Sequence, residues 1–416
     1  MSKPESVGMS SERLARVDRF LKERYVDPGK LAGTQILVSR KGKLVHHSVL
    51  GLADRERGKP MGEDSIFRIY SMTKPITSVA FMMLVEEGVV ALEDPVHRFI
   101  PSWRDLGVFV AGLPGAFQTK PLDAPLRIID LLRHTSGLTY GFQARTNVDA
   151  AYRKLGIGHA SIGLGSAAPK LDLDGFVDAL SKVPLEFSPG TAWNYSVSTD
   201  VLGYLVGKIS GQPFDRFLEA RIFKPLGMED TAFHVPPDKH DRLAACYALD
   251  QSGKVALQDD PAKSPFLQAP EMLSGGGGLV GTASDYMRFC QMLLAGGTAP
   301  DGTRLLGPKT IELMTQNHLP GGRDMFEMSK SLFSEATNAG VGFGLGVAPT
   351  TNVARTMVAG NVGAYFWGGA ASTTFWNDPK EDLAVVFMTQ FMPSMTYPIR
   401  RDLRTMVYAA ITEAAG

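Results

Sequence analysis

Strand-like sequence is concentrated at the two ends of this chain, with few such runs between them, and that distribution limits the folds open to it. Near the start, TQILVSRKGKLVHHSVLGLAD (Thr34 to Asp54) sets two β-rich runs around a Lys41-Gly42 turn, a pattern typical of an antiparallel hairpin. Near the end, STTFWNDPKEDLAVVFMTQ (Ser372 to Gln390) repeats that pattern around a polar turn. Helical segments broken by glycine and proline lie between the two ends. We therefore predict an α+β fold with one antiparallel sheet flanked by helices and an inserted helical lobe.

The same distribution predicts the domain organisation. Residues 1–70 and 275–416 would form one sheet domain assembled from both ends of the chain, and residues 71–274 a mainly helical domain. Amphipathic helices are expected near both ends. The first follows the capping serines Ser10 and Ser11, and the last has an apolar face at Ile399, Leu403, Met406, Val407, Ala410 and Ile411.

Net charge and apolar run length argue against two classes of partner. The 416 residues contain 43 Lys+Arg and 43 Asp+Glu, and no basic stripe indicates nucleic-acid binding. No run of about 18 apolar residues could span a bilayer, and the first residues lack the apolar core of a secretion signal. Cys246 and Cys290 cannot make a disulfide framework, so reduced thiols or a single bridge remain. We expect a cytoplasmic protein without a membrane span; its oligomeric state is left open.

A serine and a lysine stand one helical turn apart in IYSMTKPITSVAFMMLVEEG (Ile69 to Gly88). Positions i and i+3 share a helix face, so Lys74 can lie beneath Ser71. Pro75 is tolerated only in a first turn, which places Ser71 at the N-terminal edge of the helix. The run after Thr77 is apolar all round, as in a helix buried on every side. Burial disfavours an ammonium, so Lys74 could remain uncharged and act as the base that activates the Ser71 hydroxyl.

Four further motifs follow in order, and together with the Ser-x-x-Lys tetrapeptide they resemble the active-site serine β-lactamases and penicillin-binding proteins. The resemblance runs from the first hairpin to the last helix and is closest to the class C-like branch. The motifs are LLRHTSGL (Leu131 to Leu138), PGTAWNYSVSTDVLGYLV (Pro189 to Val206), GGGGLVGTASDYMRF (Gly275 to Phe289) and WGG (Trp367 to Gly369), the last followed by STTFW.

The resemblance implies a role for individual residues. Tyr195 matches the family's conserved tyrosine and would relay a proton between Lys74, Ser71 and a leaving alkoxide. The oxyanion formed on carbonyl attack would be bound by the backbone N–H groups of Ser71 and Ala370. Gly368 and Gly369 would let a substrate approach the strand closely. The resemblance implies no metal and no organic cofactor.

Two departures from the family pattern point to the substrate. Val197 stands where many β-lactamases have an asparagine, and Trp367 stands where they have a lysine that helps to hold a substrate carboxylate. Both changes favour neutral esters, so the chain resembles the family VIII carboxylesterases and related acyltransferases. We expect a small-molecule ester of short to medium chain as substrate, with weak β-lactam hydrolysis as a side activity at most. An apolar stretch could line an acyl pocket or belong to the core; it comprises Phe391, Met392, Met395 and Tyr397.

Other interpretations of the sequence have less support. No G-x-S-x-G is present, and a histidine that ends a helix, as His134 would, is more often structural than a base. His46 and His47 are neighbours in a strand and point to opposite faces, which makes a poor metal pair. Residues 276–281 satisfy G-x-G-x-x-G, but a dinucleotide site needs a strand directly before it. A non-catalytic scaffold of the same fold is disfavoured because Ser71, Lys74 and Tyr195 are all present.

Overall fold

The strands of the protein form one large sheet and several small ones. The structure is a computed structural model that describes residues 1–157, 170–331 and 339–414. Its strands are β1 (Gly33–Arg40), β2 (Lys43–Asp54), β3 (Lys59–Pro60), β4 (Phe67–Arg68), β5 (Val108–Leu113), β6 (Ala116–Lys120), β7 (Cys246–Leu249), β8 (Val255–Asp259), β9 (Val280–Gly281), β10 (Ala348–Pro349), β11 (Tyr365–Gly368), β12 (Thr374–Asp378), β13 (Leu383–Met388) and β14 (Phe391–Met392). The large sheet has the order β10-β11-β12-β13-β1-β2-β3.

This sheet joins the two ends of the chain, as predicted. Both hairpins are present, and positive φ angles at Lys41 (51°) and Gly42 (69°) give β1–β2 the left-handed turn that matches strand twist. Strand β1 pairs antiparallel with β13 from Gln35 opposite Met388 to Arg40 opposite Leu383. The antiparallel sheet of the β-lactamase/transpeptidase-like fold is therefore confirmed.

Helices cover the sheet and fill the middle of the chain. They are α1 (Ser11–Leu21), α2 (Thr73–Glu86), α3 (Ile128–Leu132), α4 (Asn147–Leu155), α5 (Leu173–Leu180), α6 (Ser198–Ser210), α7 (Phe214–Leu218), α8 (Lys224–Leu226), α9 (Ala283–Leu294), α10 (Pro308–Met314), α11 (Met325–Met328), α12 (Val353–Thr356) and α13 (Ile399–Ala409). Helix α1 is capped by the Ser10 side chain, which accepts from the Arg13 N–H. Helix α2 is buried from Thr73 to Leu84, as its apolar sequence predicts.

Strands also occur in the middle segment, where the sequence analysis singled out none. Hairpin β5–β6 lies there, and β7–β8 forms a small sheet with β14 from the far end of the chain. Most side chains of β5 and β6 are exposed or half-buried, so the sequence has no apolar alternation that would predict this hairpin. The domain boundaries after residues 70 and 274 stay a prediction.

Two expectations from composition can be compared with the fold. Within the described ranges, no helix is long and apolar enough to cross a membrane. Cys246 and Cys290 are both buried and unpaired, and burial raises the pKa of the Cys246 thiol to about 12. These thiols therefore pack as small apolar side chains rather than as reactive groups.

Candidate active site

The candidate nucleophile lies on a sharp entry into a buried helix. Strand β4 pairs with β9 and leads directly into a 3-10 turn at Tyr70–Met72, which continues into α2. Tyr70 has a φ of +41°, a left-handed conformation that is rare for a bulky residue. The turn leaves Ser71 partly exposed at the head of α2 while its neighbours Tyr70 and Met72 are buried.

Lys74 is buried against Ser71 and does not reach solvent. Only 1% of its surface is exposed, and its Nζ lies 3.3 Å from the Ser71 Oγ. The Nζ donates to the Gly276 carbonyl at 2.7 Å and lies 2.9 Å from the Tyr140 hydroxyl. The Lys74 amine is thus held within hydrogen-bond reach of a hydroxyl in a dry setting, which is the geometry that a general base requires.

Tyr140 is a contact that the sequence analysis missed. It stands two residues after the quoted motif LLRHTSGL, and its hydroxyl is a closer neighbour of the Lys74 Nζ than the Ser71 Oγ is. Its ring lies edge-on to Tyr195 at 5.4 Å and stacks on Phe142 at 4.7 Å. Extending the motif to LLRHTSGLTY would have included it, but only the fold places it at Lys74.

Tyr195 lies just before α6, and its ring lies over Lys74. The Lys74 Nζ is 4.5 Å from the centre of the Tyr195 ring, a cation–π distance. The Tyr195 backbone is fixed at both polar groups, since its N–H donates to Ser331 Oγ (2.6 Å) and its carbonyl accepts from Gln143 (2.7 Å). Because these two hydrogen bonds restrain the Tyr195 backbone, the phenol is held beside the base.

Trp367 and Val197 are both buried. Trp367 has no exposed surface, and its indole N–H donates to the Tyr195 hydroxyl at 3.2 Å. The indole N–H occupies one acceptor site of the Tyr195 oxygen. The O–H proton of Tyr195 is therefore left to be donated elsewhere. Val197 is also fully buried and donates its N–H to the Thr139 carbonyl at 3.2 Å. Direct contact of either side chain with a substrate stays a prediction. The hydrogen bond from Trp367 to the Tyr195 hydroxyl is a feature of the structure.

The glycines after Trp367 are needed for packing within the protein. A Cβ on Gly368 would lie 2.5 Å from the Arg400 guanidinium, and one on Gly369 would collide with the Ile69 carbonyl, two residues before Ser71. The end of β11 therefore approaches the Ser71 turn closely, with Ala370 next in the chain. Neither the Ser71 nor the Ala370 N–H is a donor in the turn and loop hydrogen bonds of the described residues. Their expected role in an oxyanion hole stays a prediction, as do the substrate contacts of Gly368 and Gly369.

His134 is a structural residue in the wall of the site. It is buried with a φ of +58°, and its Nδ1 lies 3.1 Å from Ser196 Oγ. Burial holds the pKa of His134 well below its usual range, and a positive charge on Lys74, when present, lowers it further. A histidine that stays neutral and lies edge-on to Tyr195 at 5.1 Å acts here as packing.

The glycine-rich turn serves Lys74 rather than a dinucleotide. No strand directly precedes residues 276–281 in the described part of the chain; β9 is the end of that segment, and Gly276 supplies the carbonyl that Lys74 donates to. His46 bonds to Asp18 at 2.8 Å instead of sharing a metal with His47. In the part of the chain that the structure describes, no three His, Cys, Asp or Glu side chains cluster so as to hold a metal ion.

A cavity of about 960 Å³ lies where β11 and β12 meet α13. Its lining includes Met395 and Tyr397 of the apolar stretch, together with Phe366 and the Arg400 that touches Gly368. Phe391 belongs to the core instead, with 1% of its surface exposed. The stretch therefore divides between the core and the cavity wall.

Fold and site together define a class: the β-lactamase/transpeptidase-like fold with a Ser-x-x-Lys turn that contacts β11 of its sheet. Comparison with known protein families identifies the family. The chain belongs to the beta-lactamase family, whose model matches residues 18–409.

Relatives and solved structures agree with that assignment. Protein Rv1367c of Mycobacterium tuberculosis is 35% identical over 373 residues, which cover 89% of this chain and 88% of the relative. Esterase EstB of Burkholderia gladioli is 30% identical over 420 residues, covering 97% and 96%. The solved structure of "EstCE1, a hydrolase with promiscuous acyltransferase activity" has a TM-score of 0.79 and 26% identity, and covers 95% of this chain and 99% of that chain. Both esterases and acyltransferases are thus among the proteins this chain resembles.

Proposed function

We propose that this protein is a serine carboxylesterase that hydrolyses neutral esters of short to medium chain through an acyl-enzyme on Ser71. The observation that carries the proposal is the buried Lys74 Nζ at 3.3 Å from the Ser71 Oγ. The likeness to EstB over almost the whole chain supports ester chemistry. Buried Trp367 and Val197 in place of polar family residues support a neutral substrate.

The proposed reaction proceeds in two steps. Neutral Lys74 takes the Ser71 hydroxyl proton while the Oγ attacks the ester carbonyl carbon, and the oxyanion is bound by the N–H groups of Ser71 and Ala370. Collapse of the tetrahedral intermediate breaks the bond to the alcohol, which receives a proton through Tyr195. Water then attacks the acyl carbonyl carbon while Tyr195 and Lys74 together accept one of its protons. Collapse of this second intermediate breaks the bond to the Ser71 Oγ, which takes that proton back, and the acid and free Ser71 are released. The cavity at β11, β12 and α13 is a candidate for the acyl chain.

Hydrolysis of p-nitrophenyl acetate and butyrate tests the proposal. We expect turnover by the wild-type protein and loss of most turnover in Ser71→Ala and Lys74→Ala, with unchanged circular dichroism. Ser78→Ala is the matched control, because Ser78 is a buried serine of the same helix with no hydrogen-bond partner for its hydroxyl among the described residues. Activity of Lys74→Ala near that of the wild type would refute Lys74 as the base.

A labelled fluorophosphonate separates an enzyme from a scaffold. The reagent forms a bond to an activated serine oxygen with loss of fluoride, so peptide mapping should find the label on Ser71 only. A protein that stays unlabelled would be a non-catalytic scaffold, and the proposal would be wrong. Nitrocefin should be turned over weakly at most, because Trp367 replaces the family's lysine.

The second candidate function is transfer of the acyl group to an alcohol of a secondary metabolite. It is favoured by the likeness to EstCE1, a hydrolase described as having promiscuous acyltransferase activity. In this case an alcohol replaces water in the second step. Adding a long-chain alcohol to the ester assay distinguishes the two: a rise of ester product over acid, measured by chromatography, would favour transfer.

A further inference from the structure

Asp200 is a buried carboxylate behind the base that the proposed reaction does not use. It lies in the first turn of α6, has no exposed surface, and accepts hydrogen bonds at Oδ1 from the Ser274 hydroxyl and from the Gly276 N–H (3.0 Å). Its Oδ2 is shielded from solvent and has no hydrogen-bond partner among the described residues. A buried carboxylate is costly unless something in the fold uses its charge.

One residue, Gly276, connects Asp200 to Lys74. The Gly276 N–H donates to Asp200, and the Gly276 carbonyl accepts from the Lys74 Nζ at 2.7 Å. A Cβ at position 276 would lie 2.5 Å from the Asp200 Oδ2, so glycine is needed for the carboxylate to approach this peptide. The two hydrogen bonds use adjacent peptide groups of Gly276, so Asp200 fixes the orientation of the glycine that presents this carbonyl to Lys74.

This chain of bonds determines how the lysine hydrogens are arranged. A neutral amine has two N–H groups and one lone pair, and three hydrogen-bonding neighbours of Lys74 lie among the described residues: the Gly276 carbonyl, the Tyr140 hydroxyl and the Ser71 hydroxyl. The carbonyl can only accept, so it always takes one N–H. With the second N–H on the Tyr140 oxygen, the lone pair is left for the proton of Ser71.

We propose that Asp200 is a positioning residue for the base: it holds the Gly276 peptide so that the Lys74 lone pair faces Ser71, and its charge stabilises the ammonium formed there. The inference rests on the proposed function, in which Lys74 is the base. Asp200 touches neither Ser71 nor the substrate in this role.

The charges around Lys74 are consistent with that assignment. Burial raises the pKa of Asp200, while Lys74, the Ser274 hydroxyl and the Gly276 N–H lower it. The other titratable groups that face Lys74 are the neutral His134 and the phenols of Tyr140 and Tyr195. Because the coupling between Lys74 and Asp200 is mutual, the carboxylate favours the protonated lysine.

The variant Asp200→Asn tests the proposal because it keeps the shape and the Oδ1 acceptor but removes the charge. Without the charge Lys74 remains neutral to lower pH and is a weaker base. We expect the acid limb of the kcat/KM profile for p-nitrophenyl butyrate to move down by about one pH unit and the plateau to fall roughly tenfold. The pH dependence of Ser71 labelling by the fluorophosphonate should move in the same way, whatever the natural substrate.

Asp285→Asn is the matched control. Asp285 is also a buried carboxylate that accepts from a backbone N–H (Asp230, 2.9 Å) and a hydroxyl (Thr231, 2.8 Å), but it lies in the first turn of α9, away from Lys74. Its variant should lose stability without moving the acid limb. An unmoved limb in a folded, active Asp200→Asn protein would overturn the inference and leave the proposed function intact. A wild-type protein that neither hydrolyses esters nor takes the label would overturn both.

Ser274→Ala gives a second route if Asp200→Asn does not fold. The Ser274 hydroxyl lowers the pKa of Asp200, so its loss lets the carboxylate protonate at higher pH. The limb should then move in the same direction by a smaller amount. No movement in that variant would equally contradict the role of Asp200.

Discussion

At the scale of single residues, local spacing predicted one contact of the site and the fold supplied the others. The i, i+3 spacing brings Lys74 to Ser71, and the surrounding apolar run predicted its burial, which is confirmed. The Tyr140 hydroxyl and the Gly276 carbonyl come from 66 and 202 residues away. No local pattern could have indicated those two partners, because each depends on how α2 packs in the assembled molecule.

Loss of the Tyr140 hydroxyl should slow acylation of Ser71. Tyr140→Phe removes a hydrogen-bond partner of the Lys74 Nζ and leaves the amine free to turn away from Ser71. We expect a fall of about 10- to 100-fold in the rate of fluorophosphonate labelling, as for a bond worth roughly 1.5–3 kcal/mol. Tyr152→Phe, at another buried tyrosine, is the control. Equal rates for the two variants would show that the Tyr140 hydroxyl does not assist the base.

His134 should make the protein less stable in acid. Its pKa is depressed in the folded state by burial and by Lys74, so between that value and about 6.5 the unfolded chain binds an extra proton. The stability is complete above about pH 6.5 and falls as the pH drops below it. Thermal melts at pH 7 and pH 5 should show a smaller decrease in Tm for His134→Asn than for the wild type. Asparagine suits this position because it tolerates a positive φ. A decrease of the same size in both proteins would contradict the assignment.

At the scale of elements, strong patterns were predictable and weak ones were not. Both terminal hairpins and the all-round burial of α2 follow from their sequences, and all are confirmed. Hairpin β5–β6 was missed because its half-exposed side chains give no alternation. Strand β14 pairs with β7, far away along the chain, so its partner could not be predicted locally.

Removing a large side chain from α2 should leave a cavity and destabilise the whole molecule, because residues Thr73 to Leu84 of that helix are all buried. Phe81 is fully buried, and Phe81→Ala should lower the free energy of unfolding by about 3–5 kcal/mol. The same substitution at Phe326, whose surface is 68% exposed, should change it by no more than about 0.5 kcal/mol. Urea denaturation followed by fluorescence compares the two. Similar midpoints would show that α2 is less tightly packed than the structure indicates.

At the scale of the whole molecule, the sequence predicted that both ends build one sheet, but not how they are fastened. Arg40 at the end of β1 is fully buried and donates to the carbonyls of Val7, Gly8 and Glu413 at 2.8–2.9 Å. It also forms an ion pair with Glu381 at 2.6 Å, in the turn between β12 and β13. Nothing in the sequence around Arg40 distinguishes it from an exposed arginine of a hairpin turn.

Removing Arg40 alone should be more harmful than removing the ion pair. Arg40→Met removes the cation that pairs with the buried Glu381 carboxylate and should cost about 3–5 kcal/mol of stability. Adding Glu381→Gln to that variant should recover part of the loss, because no unpaired charge remains. Chemical denaturation of the wild type, both single variants and the double variant gives the coupling energy. Strictly additive effects would contradict a coupled pair.

The pairing of β1 with β13 also determines when the protein can fold during its synthesis. Strand β1 leaves the ribosome early, yet its neighbour is made only after more than three hundred further residues. Until then the first hairpin presents an apolar edge that could join to a strand of another nascent chain. The turn that carries Ser71 also contacts β11 of this unfinished sheet. A cell making this protein must therefore protect the incomplete polypeptide until β13 has been made.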